Sequence, residues 1–567
     1  MKHIFWFVCL ALSIVSHAQW SENTTPDYPE LIAYYQQLDH LHPEIELYEI
    51  GKSDTDWPLY VCIINGAQDS LKTFQKAREQ TTVLINNAIH AGEPDGVNAC
   101  LIWLDEWIRN GKKTAGLPVI AIIPAYNVGG MFNRSSSSRA NQDGPEEYGF
   151  RGNSQNLDLN RDFIKMDAQN TITFVRLFQA LDPDVFVDTH VSNGADYQYT
   201  LTYISSMKER LSPAVRELTY GNCIPFLEGK LRQQQTDLFP YIELKEATPE
   251  EGIVAFNDLP RYAMGYASLF HTVSFTVETH MLKPFPARVE ATRKFLEAIF
   301  QWSAVHAAKI EASRRQAISW SRNQPRFHYN YGLTEKRDSL LFKGFQAVYK
   351  PSVVTGKERL SYDRKKPYTK YVPFYGTHVP KDAVPLPKYY VVSVSAADVI
   401  RKLEINGVAF RRLAIDSVMV LTTNKIIGYE TVKQPYEGHY LHYGTQVQKE
   451  TDTLKVLQGS ILVPVDQKRA AFVLSVLEPG SEDSYFAWNH FDSYLQQKEH
   501  YSAYIFEDKA AELLSEYPAL SKEFANRKSG DAAFAADAQA QLNFIYQRSA
   551  YFEKRTVGRL PVYRIEM

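Results

Sequence analysis

The sequence predicts an α/β protein, with a mixed sheet covered by helices on both faces and a smaller α+β or β-rich C-terminal domain. Three observations carry this. Short apolar runs rich in Val and Ile recur through the first half of the chain, at Leu59 to Ile64, Thr82 to Ile89, Val119 to Ile123, Val185 to Thr189 and Ser274 to Val277. Stretches with apolar residues at helical spacing alternate with them, at Val97 to Arg109, Ile172 to Ala180 and Ala287 to Ala312. Buried strands alternating with amphipathic helices are the pattern of such a sheet. A length of 567 residues also exceeds what one hydrophobic core fills, so two or three domains are expected.

Taken in order, the chain opens with Lys2 and His3, an apolar run from Ile4 to Val15, and Ser16-His17-Ala18. This reads as a cleavable signal peptide over residues 1–18, which predicts a secreted or periplasmic protein. Cys9 lies inside that run, so Cys62, Cys100 and Cys223 remain after cleavage and at most one disulfide can form. No later stretch approaches 18 apolar residues, so no membrane span is expected in the mature chain. Helical spacing from Tyr28 to Leu41 leads into Gly51-Lys52-Ser53, and the α/β domain is expected over residues 25–318.

The texture then changes. Asn323 to Pro387 is rich in Tyr, Lys and Pro without helical periodicity. Helices are expected at Ala396 to Leu403, closed by Asn406-Gly407, at Ala470 to Leu477, and from Phe486 to Ser515. These make a second domain over residues 325–567. A net charge of -3, 44% hydrophobic residues and a mean hydropathy of -0.33 describe an ordinary globular protein. With no basic stripe, nucleic acid is not an expected partner.

Four segments carry candidate chemistry. His90-Ala91-Gly92-Glu93 follows an apolar run and opens the next helix, placing an imidazole and a carboxylate within reach of one ion at the carboxyl edge of the sheet. The spacing alone is weak, since roughly one His-x-x-Glu is expected by chance among fifteen histidines, and a solvated turn would look the same. Asp184 to His190 is a hydrophobic strand ending in His190, at the same edge. Two imidazoles and one carboxylate make a zinc site that keeps an open position. Thr272 to His280 places Glu278 at the end of a β-rich strand, where a carboxylate is costly unless paired or used, and beside zinc it suits a general base. His280, close by, reads as a wall residue. Asn160-Arg161 joins an amide to a guanidinium fork suited to a carboxylate, with a surface ion pair as the plain alternative.

The order His-x-x-Glu, Asn-Arg, His, strand-end Glu resembles the zinc metallocarboxypeptidases of the carboxypeptidase A type. Asn127-Val128-Gly129-Gly130 is similar to that family's Asn-Pro-Asp-Gly turn, and Asp158-Leu159-Asn160-Arg161 to its Asp-x-Asn-Arg segment. The likeness spans about residues 25–310. Beyond it, Leu477-Glu478-Pro479 and Trp488-Asn489-His490-Phe491-Asp492 resemble the companion region of a large secreted bacterial branch.

The resemblance implies a carboxypeptidase-like sheet and one Zn2+ per chain, held by His90, Glu93 and His190, with Glu278 as base. It also implies that Asn160 and Arg161 hold the free C-terminal carboxylate of a peptide substrate. An upstream arginine would polarise the scissile carbonyl, with Arg139 chosen ahead of Arg134 and Arg151. A mobile tyrosine precedes the catalytic glutamate in the family, and here Tyr266 is preferred over Tyr262. Arg261 either faces the pocket or pairs with a neighbouring carboxylate. Zinc deacylases, amidases acting on cell-wall peptides, and a catalytically inactive binding protein of the same fold are the competing readings.

Overall fold

The computed structural model describes residues 22–567, so the expected signal peptide lies outside the described residues. Eight strands form the principal sheet: β1 (Ile45–Lys52), β2 (Pro58–Ile64), β3 (Thr82–Asn86), β4 (Val119–Ile123), β5 (Val185–Ser192), β6 (Leu201–Ser205), β7 (Leu238–Pro240) and β8 (Val273–His280). Their order is β1-β2-β4-β3-β5-β8-β6-β7. The four central strands, β4, β3, β5 and β8, run parallel, and antiparallel pairing flanks them on both sides. Every residue of β3, β4 and β5 is buried, which explains why those strands read as continuous apolar runs rather than alternating ones.

Two helices determine where a ligand can sit. Helix α1 (Asp95–Arg109) leads from β3 to its neighbour β4, while α2 (Gln169–Leu181) leads from β4 back across β3 to β5. Right-handed crossovers in opposite directions put these helices on opposite faces, so the carboxyl ends of β3 and β5 border a switch point of the topology. Among later elements, the helix expected from Ala287 to Ala312 is two helices, Phe285–Val305 and Ala307–Asn323. The break falls at His306, whose Nδ1 lies 3.0 Å from the Trp302 carbonyl.

The Tyr- and Lys-rich stretch after residue 323 is β-structure. Arg326–Leu333 pairs with His378–Pro385, and Asp338–Pro351 pairs with Glu358–Tyr375. A separate six-stranded sheet includes Tyr389–Val392, Ser417–Thr431, His442–Val456 and Arg559–Ile565. The helix expected over Phe486 to Ser515 forms only at Ala503–Glu516. Upstream of it Asn489 adopts a left-handed φ of 66°, and Tyr485, Phe486 and Trp488 are buried by tertiary packing instead. One apolar cluster runs from Tyr28 through the principal sheet to Tyr390, Phe472, Trp488 and Val562, so the C-terminal region shares the core of the first. Cys62, Cys100 and Cys223 are buried free thiols. Among the described residues, no helix is long and apolar enough to cross a membrane.

Candidate metal centre and substrate pocket

Strand β3 ends at Asn86, earlier than the apolar run suggests, and residues 87–94 turn towards α1. The Glu93 amide donates to the His90 carbonyl at 2.8 Å, so the His-x-x-Glu pair sits in a tight turn ahead of the helix rather than within it. Gly92 is needed there, because a Cβ at this position would lie 2.9 Å from the Gly149 carbonyl oxygen. A Cβ on Gly96, one turn on, would meet the Thr189 hydroxyl at 2.0 Å, so glycine lets the start of α1 close onto β5. This approach brings the turn to His190. Parallel pairing of β5 with β8 then sets Glu278 directly opposite His190.

His90, Glu93 and His190 converge, with one ligand atom from each within 4.8 Å of the others. Glu93 Oε2 lies 3.3 Å from His90 Nδ1 and 3.1 Å from His190 Nδ1. The far nitrogens are occupied: His90 Nε2 faces Asp158 Oδ1 at 3.0 Å, and His190 Nε2 faces Asp188 Oδ2 at 2.7 Å. A carboxylate on Nε2 keeps the proton there and turns the Nδ1 lone pair inward, as a metal-binding histidine requires. His90 Nδ1 is buried without a hydrogen-bond partner, an orphan a cation would satisfy. The donor set of two imidazoles and a carboxylate fits zinc with an open position.

The electrostatics agree with a cation site. Burial alone would raise the pKa of Glu93, but His90 and Arg139 outweigh it and hold the carboxylate well below its usual range. Burial would likewise lower His190, and Asp188 overrides it, holding the imidazole well above its ordinary value. Glu278 is pushed up to about 7 by burial; His190 opposes the shift and Glu93 adds to it.

A cavity of about 400 Å3 opens over these residues, also lined by Arg139, Arg151, Asn160, Arg161, Tyr262 and Met264. The structure separates the three candidate arginines. Arg134 donates to the Thr25, Pro26 and Glu147 carbonyls and does not line the cavity. Arg139 lines it, but its donors are engaged by Glu93 Oε1 at 2.8 Å, Gln142 at 2.6 Å and the Val191 carbonyl at 3.2 Å. Arg151 also lines the cavity, paired with Asp158 Oδ2 at 2.8 Å and more loosely with Glu93 Oε1 at 3.6 Å, and its side chain is 45% exposed.

Asn160 and Arg161 stand side by side on a 3-10 turn, Leu159–Arg161, with the Asn160 side-chain Oδ1 accepting from the Ala263 backbone amide. The Arg161 guanidinium lies 4.5 Å above the Tyr262 ring. Tyr266 is a correction: it is wholly buried, donates to Asn406 Oδ1 at 2.7 Å and accepts from Gln179, so its ring cannot swing to a substrate. On the helix Ala263–Ser268, position 266 turns into the core, whereas Tyr262 precedes the helix and faces the cavity. Arg261 also points away, paired with Asp483 at 2.9 Å. His280 is buried, bonded through Nε2 to the Ala195 carbonyl.

Residues 31–183 match the family model described as zinc carboxypeptidase. Over that segment the chain resembles the zinc carboxypeptidases. The match and the relatives below point to a hydrolase of the metallopeptidase class. The chain is similar to carboxypeptidase 2 of Trichophyton rubrum, 22% identical over 424 residues, which cover 71% of this chain and 72% of the relative. Carboxypeptidase 2 of Trichophyton equinum is 22% identical over 436 residues, with coverage of 71% and 72%. Among solved structures, carboxypeptidase A of Helicoverpa armigera is 14% identical at a TM-score of 0.36, covering 54% of this chain and 78% of that one. A metallo-carboxypeptidase of Burkholderia cenocepacia is 16% identical at a TM-score of 0.35, covering 49% and 68%.

Sequence reasoning missed the two carboxylates behind the histidines. Asp188 had a usable signal, since residues two apart on a strand share a face and Asp188 precedes His190 by two. Asp158 belongs to the quoted Asp-Leu-Asn-Arg segment, but nothing local reveals that its carboxylate turns towards His90.

Proposed function

We propose that this peptidase removes the C-terminal residue of peptides, with a zinc ion held by His90, Glu93 and His190. The observation that supports this reading is the meeting, in one cavity, of three buried inward-facing donors, the Glu278 carboxylate and the Asn160-Arg161 pair. Zinc bound there supplies a Lewis acid that acidifies water and polarises the scissile carbonyl. The remaining work falls to the chain's own groups. Glu278 takes a proton from the attacking water and returns it to the departing amine. Arg161, with the Asn160 amide and the Tyr262 ring beside it, binds the substrate's terminal carboxylate. Arg151, with its side chain open to the cavity, donates to the carbonyl oxygen as negative charge develops, while Arg139 holds Glu93 in place.

We assign catalysis to residues 25–318, treat residues 325–567 as a C-terminal domain, and expect export after removal of residues 1–18. Paired peptides ending in a free carboxylate or in an amide test the proposal, each with and without a chelator. The expected result is release of one terminal residue from the free acid only, abolished by chelation. Equal cleavage of the amide, or cleavage that survives chelation, overturns it.

A further inference from the structure

The C-terminal region reaches the back of the candidate site through one hairpin tip. Tyr436 and His439 bond to each other through both backbone pairs, at 2.7 and 3.1 Å, leaving Glu437 and Gly438 as a two-residue loop. Both loop residues are left-handed, with φ of 50° and 80°, the conformation such a loop demands. Glycine meets that demand freely, whereas glutamate is strained by it. The strained residue makes a specific contact. Glu437 Oε2 accepts the backbone amide of Asp158 at 2.8 Å, across 279 positions of sequence.

Asp158 is the residue whose carboxylate holds His90 Nε2 and Arg151 together. Two residues after Glu437, His439 Nε2 lies 2.7 Å from Asp167, which also receives buried Lys165 at 2.8 Å. Lys165 in turn bonds Asp162 at 2.7 Å. Both ends of the segment carrying Asp158, Asn160 and Arg161 are therefore held by the tip.

We infer that Glu437 is a positioning residue for the metal site, and that the 436–439 hairpin tip clamps the 158–167 segment in its working place. An acceptor on the Asp158 amide fixes that residue's backbone, and so the direction from which its carboxylate meets His90. The clamp at Asp167 sets the other end, and with it the position of Arg161 relative to the metal site. The inference rests throughout on the proposed zinc site, and its substrate arm rests also on the proposed peptidase activity.

The test compares the full-length parent with Glu437→Ala, Glu437→Gln and His439→Ala. Zinc retention is read by competition with a chromophoric chelator, KM and kcat on a free-acid peptide, and folding by thermal unfolding. Partners of metal-binding histidines change affinity by about 10- to 100-fold, and Glu437 acts one bond further out, so Glu437→Ala should weaken zinc about three- to tenfold. Glu437→Gln, whose amide oxygen can accept the same bond, should restore it. His439→Ala should raise KM with zinc retention kept near the parent value. Unchanged zinc retention in Glu437→Ala, or equal loss in Glu437→Gln, overturns the role of Glu437. If Glu437→Ala loses cooperative unfolding, His439→Ala decides, and an unchanged KM there overturns the clamp. A parent that cleaves no peptide refutes the proposed function and leaves the zinc comparison to decide this inference.

Discussion

Replacing Asp188 by asparagine is nearly isosteric, yet it should reverse the chemistry of His190. Asp188 is wholly buried, with Oδ1 accepting from Asn86 Nδ2 at 2.9 Å and Oδ2 facing His190 Nε2 at 2.7 Å. Asn86 Nδ2 is a donor, so the introduced amide must keep its oxygen on that side and turn its NH2 towards the imidazole. His190 Nε2 then becomes the acceptor, and the neutral ring's proton moves to Nδ1, the atom that faces Glu93. Zinc binding must undo this arrangement. Loss of such a partner costs about 10- to 100-fold in metal affinity, or about 1.4 to 2.8 kcal/mol. The value should lie towards the upper end, since Asp188 is wholly buried and solvent is poorly placed to substitute for the lost acceptor. Chelator competition at pH 7.5 measures it, with thermal unfolding of the metal-free forms as the check on folding. A folded Asp188→Asn that holds zinc within threefold of the parent would refute the tautomer argument.

Four further outcomes follow from the same geometry. Glu278→Gln should keep zinc and lower kcat by about 10^2- to 10^4-fold; in the metal-free parent, folding raises the Glu278 pKa from 4.5 to about 7, so the stability tied to its protonated form is present below about 4.5 and lost as pH rises to about 7. Thermal unfolding in chelator at pH 5 and 7.5 should therefore show a larger decline in the parent than in Glu278→Gln. Arg161→Ala should raise KM for a free-acid peptide by about ten- to a hundredfold, the worth of a charged hydrogen bond, with kcat less affected. Arg151→Ala should lower kcat about a hundredfold with zinc retained, whereas Arg139→Ala should chiefly weaken zinc by freeing Glu93; the two kinetic and metal-binding profiles should be distinct. Tyr266→Phe should cost about 1 to 3 kcal/mol of stability by orphaning Asn406 and leave the KM of the folded enzyme unchanged; a raised KM would return Tyr266 to the pocket.

Much of the first region was legible because its signals are local. The Val- and Ile-rich runs at 119–123 and 185–189 became buried central strands, since a strand covered on both faces needs apolar residues at every position. The ends of elements were less legible. Residues 87–89 continue the composition of β3 but leave the strand, and only the packing of the 87–94 turn against β5 accounts for that. The 486–515 segment carries helical spacing, yet its first half buries Phe486 and Trp488 through irregular turns. Burial among partners distant in sequence overrode the local preference.

For the site, residue type and spacing set which groups were on offer: His90 and Glu93 three apart, His190 and Glu278 at strand ends, and the Asn160-Arg161 pair. Tertiary structure decided how each was used. The opposite crossovers of α1 and α2 bring the turn after β3 to the end of β5, and the β5–β8 register sets Glu278 against His190. Arg139 and Arg151 look alike in sequence and both approach Glu93, but Arg139 does so at 2.8 Å and is 14% exposed, whereas Arg151 stands off at 3.6 Å, pairs chiefly with Asp158 and is 45% exposed. Tyr262 and Tyr266 are four residues apart, and the start of a short helix sends one to the cavity and the other to the core. Residue type and spacing determine which chemistry a chain can perform, because they act within a few residues. The partner that engages each charge is chosen by chain packing across hundreds of positions, as Glu437 on Asp158 illustrates, and no local pattern encodes that distance.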